Sequence, residues 1–213
     1  MTKTILCYGD SLTWGYSAEL AGRHAYEDRW PSVLQAELGS AVRVIAEGLN
    51  GRTTAFDDHL ADSDRNGARI LPTLLNTHSP LDLVIIMLGA NDMKPFISGR
   101  AVGSKQGMER LTKLVRNHAY SFDYPAPLVL LVAPPPLSDT GEADFAAMFD
   151  GGVAESKKLA GFYQQVASEM GCGFFDAGSV AKTTPLDGVH LDAENTRAVG
   201  LGVAPVARQM LKI

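Results

Sequence analysis

The stretch Cys7-Tyr8-Gly9-Asp10-Ser11-Leu12-Thr13-Trp14-Gly15 decides how this chain is organised. It follows the apolar run Thr4-Ile5-Leu6, which is short, rich in strand formers and typical of a buried parallel strand. Ser11 then lies where that strand ends and the chain turns away. Ligands bind at this edge of open α/β sheets, so Ser11 is a candidate nucleophile by position. Most serines in such places are turn or cap residues, so its role depends on a base and oxyanion donors elsewhere.

Strand and helix patterns alternate along the rest of the chain. Apolar runs predict strands over residues 42–46, 83–88, 128–132 and 174–175, and the run 83–88 is expected at the centre of the sheet. Helical spacing predicts helices over residues 30–39, 68–77, 104–118, 154–170 and 193–211, with Pro205 expected to kink or break the last one. The alternation predicts an α/β, flavodoxin-like three-layer α/β/α sandwich whose five parallel strands have the order 2-1-3-4-5. Residues 1–213 are expected to form one domain.

Composition limits the functional classes. The chain has 213 residues, of which 46% are hydrophobic, and a net charge of −5. An acidic chain without a basic patch argues against nucleic acid and anionic membranes as partners. There is neither a signal-peptide pattern nor an apolar run of the roughly 18 residues that a membrane span needs, so a cytoplasmic location is expected. Cys7 and Cys172 form neither a disulfide scaffold nor a zinc pattern, and no metal or cofactor is expected.

Polar residues stand where the predicted strands end. Ser11 follows the first strand, Gly51 the second and Asn91 the third, and Asp187 and His190 come after the fifth. Serine attack on an acyl carbon needs a base, a carboxylate that orients the base, and donors for the oxyanion. His190 can supply the base and Asp187 the carboxylate, because their separation lets both lie in one turn. The donors would be the Ser11 and Gly51 amides and the Asn91 side chain.

Four blocks of the chain resemble a known family. The GDSL or SGNH hydrolases, a family of esterases, lipases and acyltransferases, have blocks that are similar in order and loop position to Gly9-Asp10-Ser11-Leu12, Gly51, Gly89-Ala90-Asn91-Asp92 and Asp187-Gly188-Val189-His190. The resemblance covers the chain end to end. It implies a triad of Ser11, Asp187 and His190, with Gly51 and Asn91 joining the Ser11 amide as oxyanion donors.

Within that family the chain looks most like the bacterial arylesterase and acyltransferase group, on residues 9–15, 47–54 and 187–192. That likeness implies a serine esterase that hydrolyses short-chain carboxylic esters through an acyl-enzyme and also passes the acyl group to alcohols. Many relatives carry an asparagine in the second block where this chain has Ala46, which leaves open what supports the Gly51 loop. Two alternatives stay open: a carbohydrate deacetylase or thioesterase of the same family, and a non-catalytic flavodoxin-like ligand-binding module.

Residues 133–152 are expected to form a long loop with an exposed apolar patch. Three prolines are followed there by Leu137, Phe145, Met148 and Phe149, and long apolar loops of this kind usually mark interfaces. The patch predicts a closed homo-oligomer in which a neighbouring subunit narrows the entrance above Ser11. Assemblies up to octamers are implied by the resemblance to the arylesterase group.

The remaining polar and aromatic residues receive structural interpretations. Seven carboxylates lack a calcium-loop spacing and are expected to be solvated: Glu19, Glu27, Asp28, Asp57, Asp58, Asp62 and Asp64. Four histidines have no partner resembling Asp187 and are expected at the surface or as caps: His24, His59, His78 and His118. Asp10 is expected to bond backbone groups of its own loop. For four aromatic residues, a place in the ordinary core fits the sequence as well as a place in an acyl pocket or a subunit contact does. They are Trp14, Phe96, Phe145 and Phe149.

Overall fold

The computed structural model describes residues 2–213, and a five-stranded parallel sheet forms its centre. The strands are β1 (Lys3–Gly9), β2 (Val42–Gly48), β3 (Leu83–Met87), β4 (Leu128–Ala133) and β5 (Gly173–Asp176). Their order across the sheet is β2-β1-β3-β4-β5, and all neighbours are parallel. This confirms the flavodoxin-like order predicted from the sequence. A separate antiparallel pair joins Tyr16–Ser17 to Gly22–Arg23.

Helices cover both faces of the sheet. Along the chain they are α1 (Ser11–Trp14), α2 (Trp30–Leu38), α3 (Gly67–His78), α4 (Ala101–Asn117), α5 (Ala143–Met148), α6 (Gly152–Ser156), α7 (Leu159–Met170) and α8 (Ala193–Leu211). Buried residues of α2 and α8 form one core with the sheet, and those of α3, α4 and α7 form the other. The three-layer sandwich is therefore confirmed.

The two cores follow from the alternation of side chains along each strand. Ile5 and Cys7 of β1 lie in the core under α2 and α8, whereas Leu6 and Tyr8 lie in the opposite core. All residues of β3 are buried, because this strand is covered on both faces. The expectation that the run from Leu83 forms the centre of the sheet is confirmed.

The prediction of one helix over residues 154–170 is wrong. The chain forms α6 and α7 instead, with a break at Lys157 and Lys158. Tertiary contacts explain the break: the hydroxyl of Ser156, at the end of α6, accepts a hydrogen bond from the Leu137 amide at 2.9 Å and donates one to the Val153 carbonyl at 3.0 Å. Ser156 is buried by these contacts, which override the periodicity of the local sequence.

The segment between β4 and α6 also differs from its prediction. It contains the helix α5, which begins where the Glu142 carboxylate accepts a hydrogen bond from the Phe145 amide at 2.7 Å. Leu137 and Phe149 are buried against the α3–α4–α7 core, so the expected exposed apolar patch does not form on this segment. The apolar side chains face inward because they cover the edge of the core beyond β4.

Two helix boundaries complete the comparison. Helix α4 begins at Ala101, earlier than predicted, because the Glu155 carboxylate accepts a hydrogen bond from its first amide at 2.9 Å. Helix α8 runs through Pro205 without ending. The proline leaves the Leu201 carbonyl without its helical donor, and Leu201 lies at the surface, where water can replace that donor.

Within residues 2–213, none of the helices combines the length and the hydrophobicity that a membrane crossing needs. Both cysteines in this range are free. Cys7 is buried in β1, and burial raises the pKa of its thiol, while Cys172 is half-buried after α7. Cys7 therefore acts as a small apolar core residue.

Candidate active site

Ser11, Asp187 and His190 meet at the edge where the parallel strands end. Ser11 is the first residue of α1, directly after β1, and the Asp10 carboxylate caps that helix by accepting a hydrogen bond from the Leu12 amide at 3.0 Å. Asp187 and His190 lie in the turn before α8, close to Ser138. In that turn Gly188 has a φ of +73°, and a Cβ there would lie 2.2 Å from the Ser138 carbonyl oxygen, so the turn requires glycine.

The three side chains form one continuous line of hydrogen bonds. The Ser11 Oγ lies 2.9 Å from His190 Nε2, and His190 Nδ1 lies 2.6 Å from Asp187 Oδ2. The other Asp187 oxygen accepts hydrogen bonds from the Val189 and His190 amides at 3.0 and 2.9 Å. Burial alone would raise the pKa of Asp187, but the hydrogen bonds from the His190 ring and these amides outweigh it and hold the pKa below its usual value.

Donors for an oxyanion converge beside Ser11. Within residues 2–213, the amides of Ser11 and Gly51 donate no hydrogen bond, so both are free for a ligand. Gly51 has a φ of +80°, which lets the loop turn so that its amide lies at the site. The Asn91 side-chain nitrogen donates to the Arg52 carbonyl at 3.2 Å and lies 3.4 Å from Asp10 Oδ2, a weak contact. An oxyanion would therefore replace the weak Asp10 contact at the second hydrogen of Asn91.

Arg52 supports the Gly51 loop in the absence of a polar residue at Ala46. Its guanidinium is buried, donates to the carbonyls of Gly9 (2.8 Å) and Glu47, and stacks over the Tyr8 ring at 4.3 Å. Arg52 therefore ties the loop after β2 to the end of β1. The sequence signalled no such role, since Arg52 was only the residue after Gly51.

Asp92 joins the same loop to the end of β3. Its two carboxylate oxygens accept hydrogen bonds from the Thr54 amide at 2.9 Å and the Thr54 hydroxyl at 2.5 Å. Burial raises the pKa of Asp92 to about 6, although the Thr54 bonds oppose this effect. Burial also raises the pKa of Asp10 to about 6, and the bond to the Leu12 amide opposes it. Asp10 bonds its own loop, as predicted.

The catalytic groups open into a pocket of about 240 Å³. Three side chains from α5 and its C-terminal end form an apolar wall: Phe145, Met148 and Phe149. Of the four aromatic residues with an open role, Phe145 and Phe149 therefore line the pocket. Phe96 is exposed, and Trp14 lies half-buried under the guanidinium of Arg23 at 4.5 Å.

Three further residues contribute to the site in ways that the sequence did not indicate. The Tyr16 ring packs on the His190 ring with centroids 4.3 Å apart. The prediction of a surface or capping role for His24 is wrong: the residue is buried, and its ring Nε2 lies 3.0 Å from the carbonyl oxygen of Leu191. His24 thus supports the turn that carries His190. Lys94 lies in the pocket wall, three residues after Asn91.

The acidic loop before α3 forms ion pairs that the sequence did not predict. Asp58 bonds Arg65 at 2.8 Å, and its side chain is only 3% exposed. Asp57 and Asp64 bond Arg69 at 2.7 and 3.0 Å. The expectation of solvated carboxylates is therefore wrong for Asp58, which lies buried beside the catalytic pocket.

Known proteins resemble the chain in sequence and in fold. The model of the GDSL-like lipase/acylhydrolase family matches residues 7–198. A carbohydrate acetylesterase family member from Sinorhizobium meliloti is similar over its whole structure, with 65% identity, full coverage of both chains and a TM-score of 0.98. An aryl esterase from M. smegmatis is 43% identical with a TM-score of 0.93, over 98% of this chain and 100% of that one.

A second carbohydrate acetylesterase from Sinorhizobium meliloti is 41% identical, with a TM-score of 0.92, over 98% of this chain and 99% of that one. Because these structures match 98% or more of the chain, the similarity extends over the entire sheet and over all loops that carry the site. No curated protein sequence matches the chain.

We expect Arg52→Met to destabilise the protein. The substitution leaves two buried carbonyls without a charged donor, and the free energy of unfolding should fall by about 2 to 4 kcal/mol. Equilibrium urea unfolding measures the change. Arg69→Met is the matched control, because its side chain is 56% exposed and its surface ion pairs contribute about 1 kcal/mol or less. Equal losses in the two variants would contradict the role of Arg52.

We expect the stability of Asp92→Asn, relative to the unsubstituted protein, to rise with pH. An unfolded aspartate has a pKa of about 3.9, whereas burial raises the pKa of native Asp92 to about 6. Between these values the native state binds more protons than the unfolded state, so this carboxyl's contribution to stability falls as the pH rises through that window.

The variant lacks this titration. The unfolding free energy of Asp92→Asn minus that of the unsubstituted protein should therefore increase by up to roughly 3 kcal/mol between pH 4 and pH 7. The weakened bonds to Thr54 lower the stability of the variant at every pH and do not change this trend. Urea unfolding of both proteins at several pH values measures it. A difference that stays constant from pH 4 to pH 7 would refute the raised pKa of native Asp92.

Proposed function

The chain belongs to the GDSL-like lipase/acylhydrolase family and is a carboxylic ester hydrolase, and we propose that it acts through an acyl-enzyme on Ser11. The observation that carries this proposal is the line of hydrogen bonds from Ser11 Oγ through His190 to Asp187, at 2.9 and 2.6 Å. This arrangement meets the geometric requirement of a nucleophile, a base and an orienting carboxylate.

In the proposed acylation step, the Ser11 oxygen attacks the ester carbonyl carbon while His190 Nε2 takes the hydroxyl proton. Asp187 holds the imidazole through Nδ1 and stabilises the imidazolium that forms. The oxyanion accepts hydrogen bonds from the Ser11 and Gly51 amides and the Asn91 side chain. The C–O bond of the ester then breaks, and the imidazolium gives its proton to the departing alcohol.

Deacylation repeats these steps with water as the nucleophile. His190 takes a proton from the water as its oxygen attacks the acyl carbon, and the proton returns to the Ser11 oxygen as the acid leaves. An alcohol in place of water would give a new ester. Acyl transfer to alcohols is therefore part of the proposal, and it uses the same residues.

The pocket favours short acyl groups. Its volume of about 240 Å³ is below the range of typical drug-sized sites, and Phe145, Met148 and Phe149 close its apolar side. Small carboxylic esters, aryl esters included, fit such a space. The likeness to the M. smegmatis aryl esterase supports this substrate class.

A second candidate function is removal of acetyl groups from carbohydrates. It is favoured by the 65% identity to the carbohydrate acetylesterase family member from Sinorhizobium meliloti. The triad chemistry is the same, and only the leaving alcohol differs. Parallel kcat/KM measurements on phenyl acetate and on a peracetylated monosaccharide separate the two, because an arylesterase prefers the first and a carbohydrate acetylesterase the second.

We also propose a closed homo-oligomer. The exposed patch first expected on residues 133–152 is absent, so the support comes from the resemblance to the arylesterase group and from exposed apolar side chains elsewhere, such as Phe96 at 53% and Leu60 at 83%. Light scattering should give a mass several times 22.8 kDa.

The cytoplasmic location stays a prediction.

We expect Ser11→Ala to lower kcat on phenyl acetate by about 10⁴-fold or more, because the acyl-enzyme can no longer form. Ser121→Ala, at an exposed serine, is the matched control and should keep full activity. Mass spectrometry after treatment with a fluorophosphonate should place the adduct on Ser11 in the unsubstituted protein. Half of the original activity in Ser11→Ala, or an adduct on another residue, would rule out the proposed nucleophile.

A further inference from the structure

The catalytic pocket carries two cationic side chains that the ester chemistry does not use. Lys94 and Arg65 line it together with Ser11, Gly51 and Asn91. No carboxylate residue is among the side chains that line this pocket in the part of the chain described. In a protein whose net charge is −5, this wall is a local region of positive charge, although Asp58 offsets the charge of Arg65 from outside the pocket.

Lys94 has a buried side chain and no anionic partner. The residue is only 7% exposed, and within residues 2–213 its ammonium makes neither an ion pair nor a hydrogen bond, although the nitrogen is not among the fully buried atoms and so stays open to the pocket. Its nearest aromatic neighbour is Phe149, with Nζ 5.5 Å from the ring centroid. Burial lowers the pKa of Lys94, and the more distant charges of Asp58, Asp10 and Asp92 only partly oppose this.

Arg65 presents a second unused donor. One of its terminal nitrogens bonds Asp58 at 2.8 Å, and the other donates no hydrogen bond within residues 2–213 on a side chain that is 29% exposed, whereas its Nε is buried without a partner and out of a ligand's reach. The guanidinium lies against the oxyanion loop, since a Cβ at Gly51 would stand 2.7 Å from that Nε.

A cation whose surroundings are largely buried and hold no anion is partly desolvated, and a ligand anion would compensate that cost. Resting on the acyl-enzyme function proposed above, we propose that Lys94 and Arg65 form an anion subsite that receives a carboxylate of the substrate. The preferred substrates are then small esters that carry a carboxylate on either the acyl or the alcohol side. A carboxylate suits this subsite because its oxygens accept charge-assisted hydrogen bonds from ammonium and guanidinium groups.

The kinetic test uses pairs of esters that differ only in charge. Monophenyl glutarate and phenyl glutaramate carry the difference on the acyl side, and 3-acetoxybenzoate and 3-acetoxybenzamide carry it on the alcohol side. We expect the charged member of at least one pair to have the higher kcat/KM, and the pair identifies the side that is bound. The preference should decrease as the ionic strength rises.

Substitution then assigns the preference to the two cations. Lys94→Met and Arg65→Met should each reduce the charged-to-neutral ratio of kcat/KM by roughly tenfold or more, which corresponds to the loss of a charge-assisted hydrogen bond. Lys94→Arg should restore much of the ratio by keeping the charge. Lys113→Met, at an exposed lysine outside the pocket, is the matched control and should leave the ratio unchanged.

A binding measurement separates failure of the subsite from failure of the proposed function. Calorimetry of Ser11→Ala with glutarate and with 3-hydroxybenzoate should show binding, which Lys94→Met in the same background weakens about tenfold. If no ester is hydrolysed but these anions bind in this way, the acyl-enzyme proposal falls and the subsite stands. If neutral esters are hydrolysed as well as charged ones and neither anion binds, the subsite is refuted and the esterase proposal stands.

Discussion

The parallel register of β1 with its two neighbours is the constraint on which the site depends. Gly9, the last residue of β1, pairs with Gly48 on one side and with Met87 on the other. The three strands therefore end side by side, and the loops that carry Ser11, Gly51 and Asn91 begin from one line. A shift of one residue in either pairing would displace a catalytic loop by about 3.3 Å, more than a hydrogen bond tolerates.

Register alone does not hold the loops, and buried polar contacts complete the site. Arg52 binds the ends of β1 and β2 together, and Asp92 binds the loop after β2 to the end of β3. Both groups are charged or easily charged in places that water does not reach, which is unfavourable unless every partner is present. The benefit is rigidity, because oxyanion donors are effective only when they are fixed before the reaction begins.

The sequence was sufficient to predict the residues that follow the strand ends, but not the roles of residues that depend on tertiary contacts. The positions of Ser11, Gly51 and Asn91 followed from apolar runs and the polar residues after them, and the short spacing of Asp187 and His190 placed both in one turn. The roles of Arg52 and Lys94 could not be read in the same way, because a single basic residue in a loop has no pattern until its neighbours are known.

The helices between β4 and β5 were predicted incorrectly for two different reasons. Helix α5 had a local signal that was overlooked, since Glu142 is followed by alanines and a methionine, all strong helix formers. The break between α6 and α7 had none: Ser156 ends α6 through a bond to Leu137, which lies 19 positions earlier in the chain. Local patterns therefore fail where the deciding partner is distant in sequence.

The apolar wall of the pocket is built separately from the catalytic framework. It stands on α5, a helix of 6 residues between Gly141 and Gly151, and both glycines border open space. None of the triad or oxyanion residues lies in this segment. Insertions, deletions or exchanges there can alter the shape of the acyl cavity while the sheet and its loops stay intact. Divergence of substrate range among proteins of this fold thus has a structural route that leaves the chemistry unchanged.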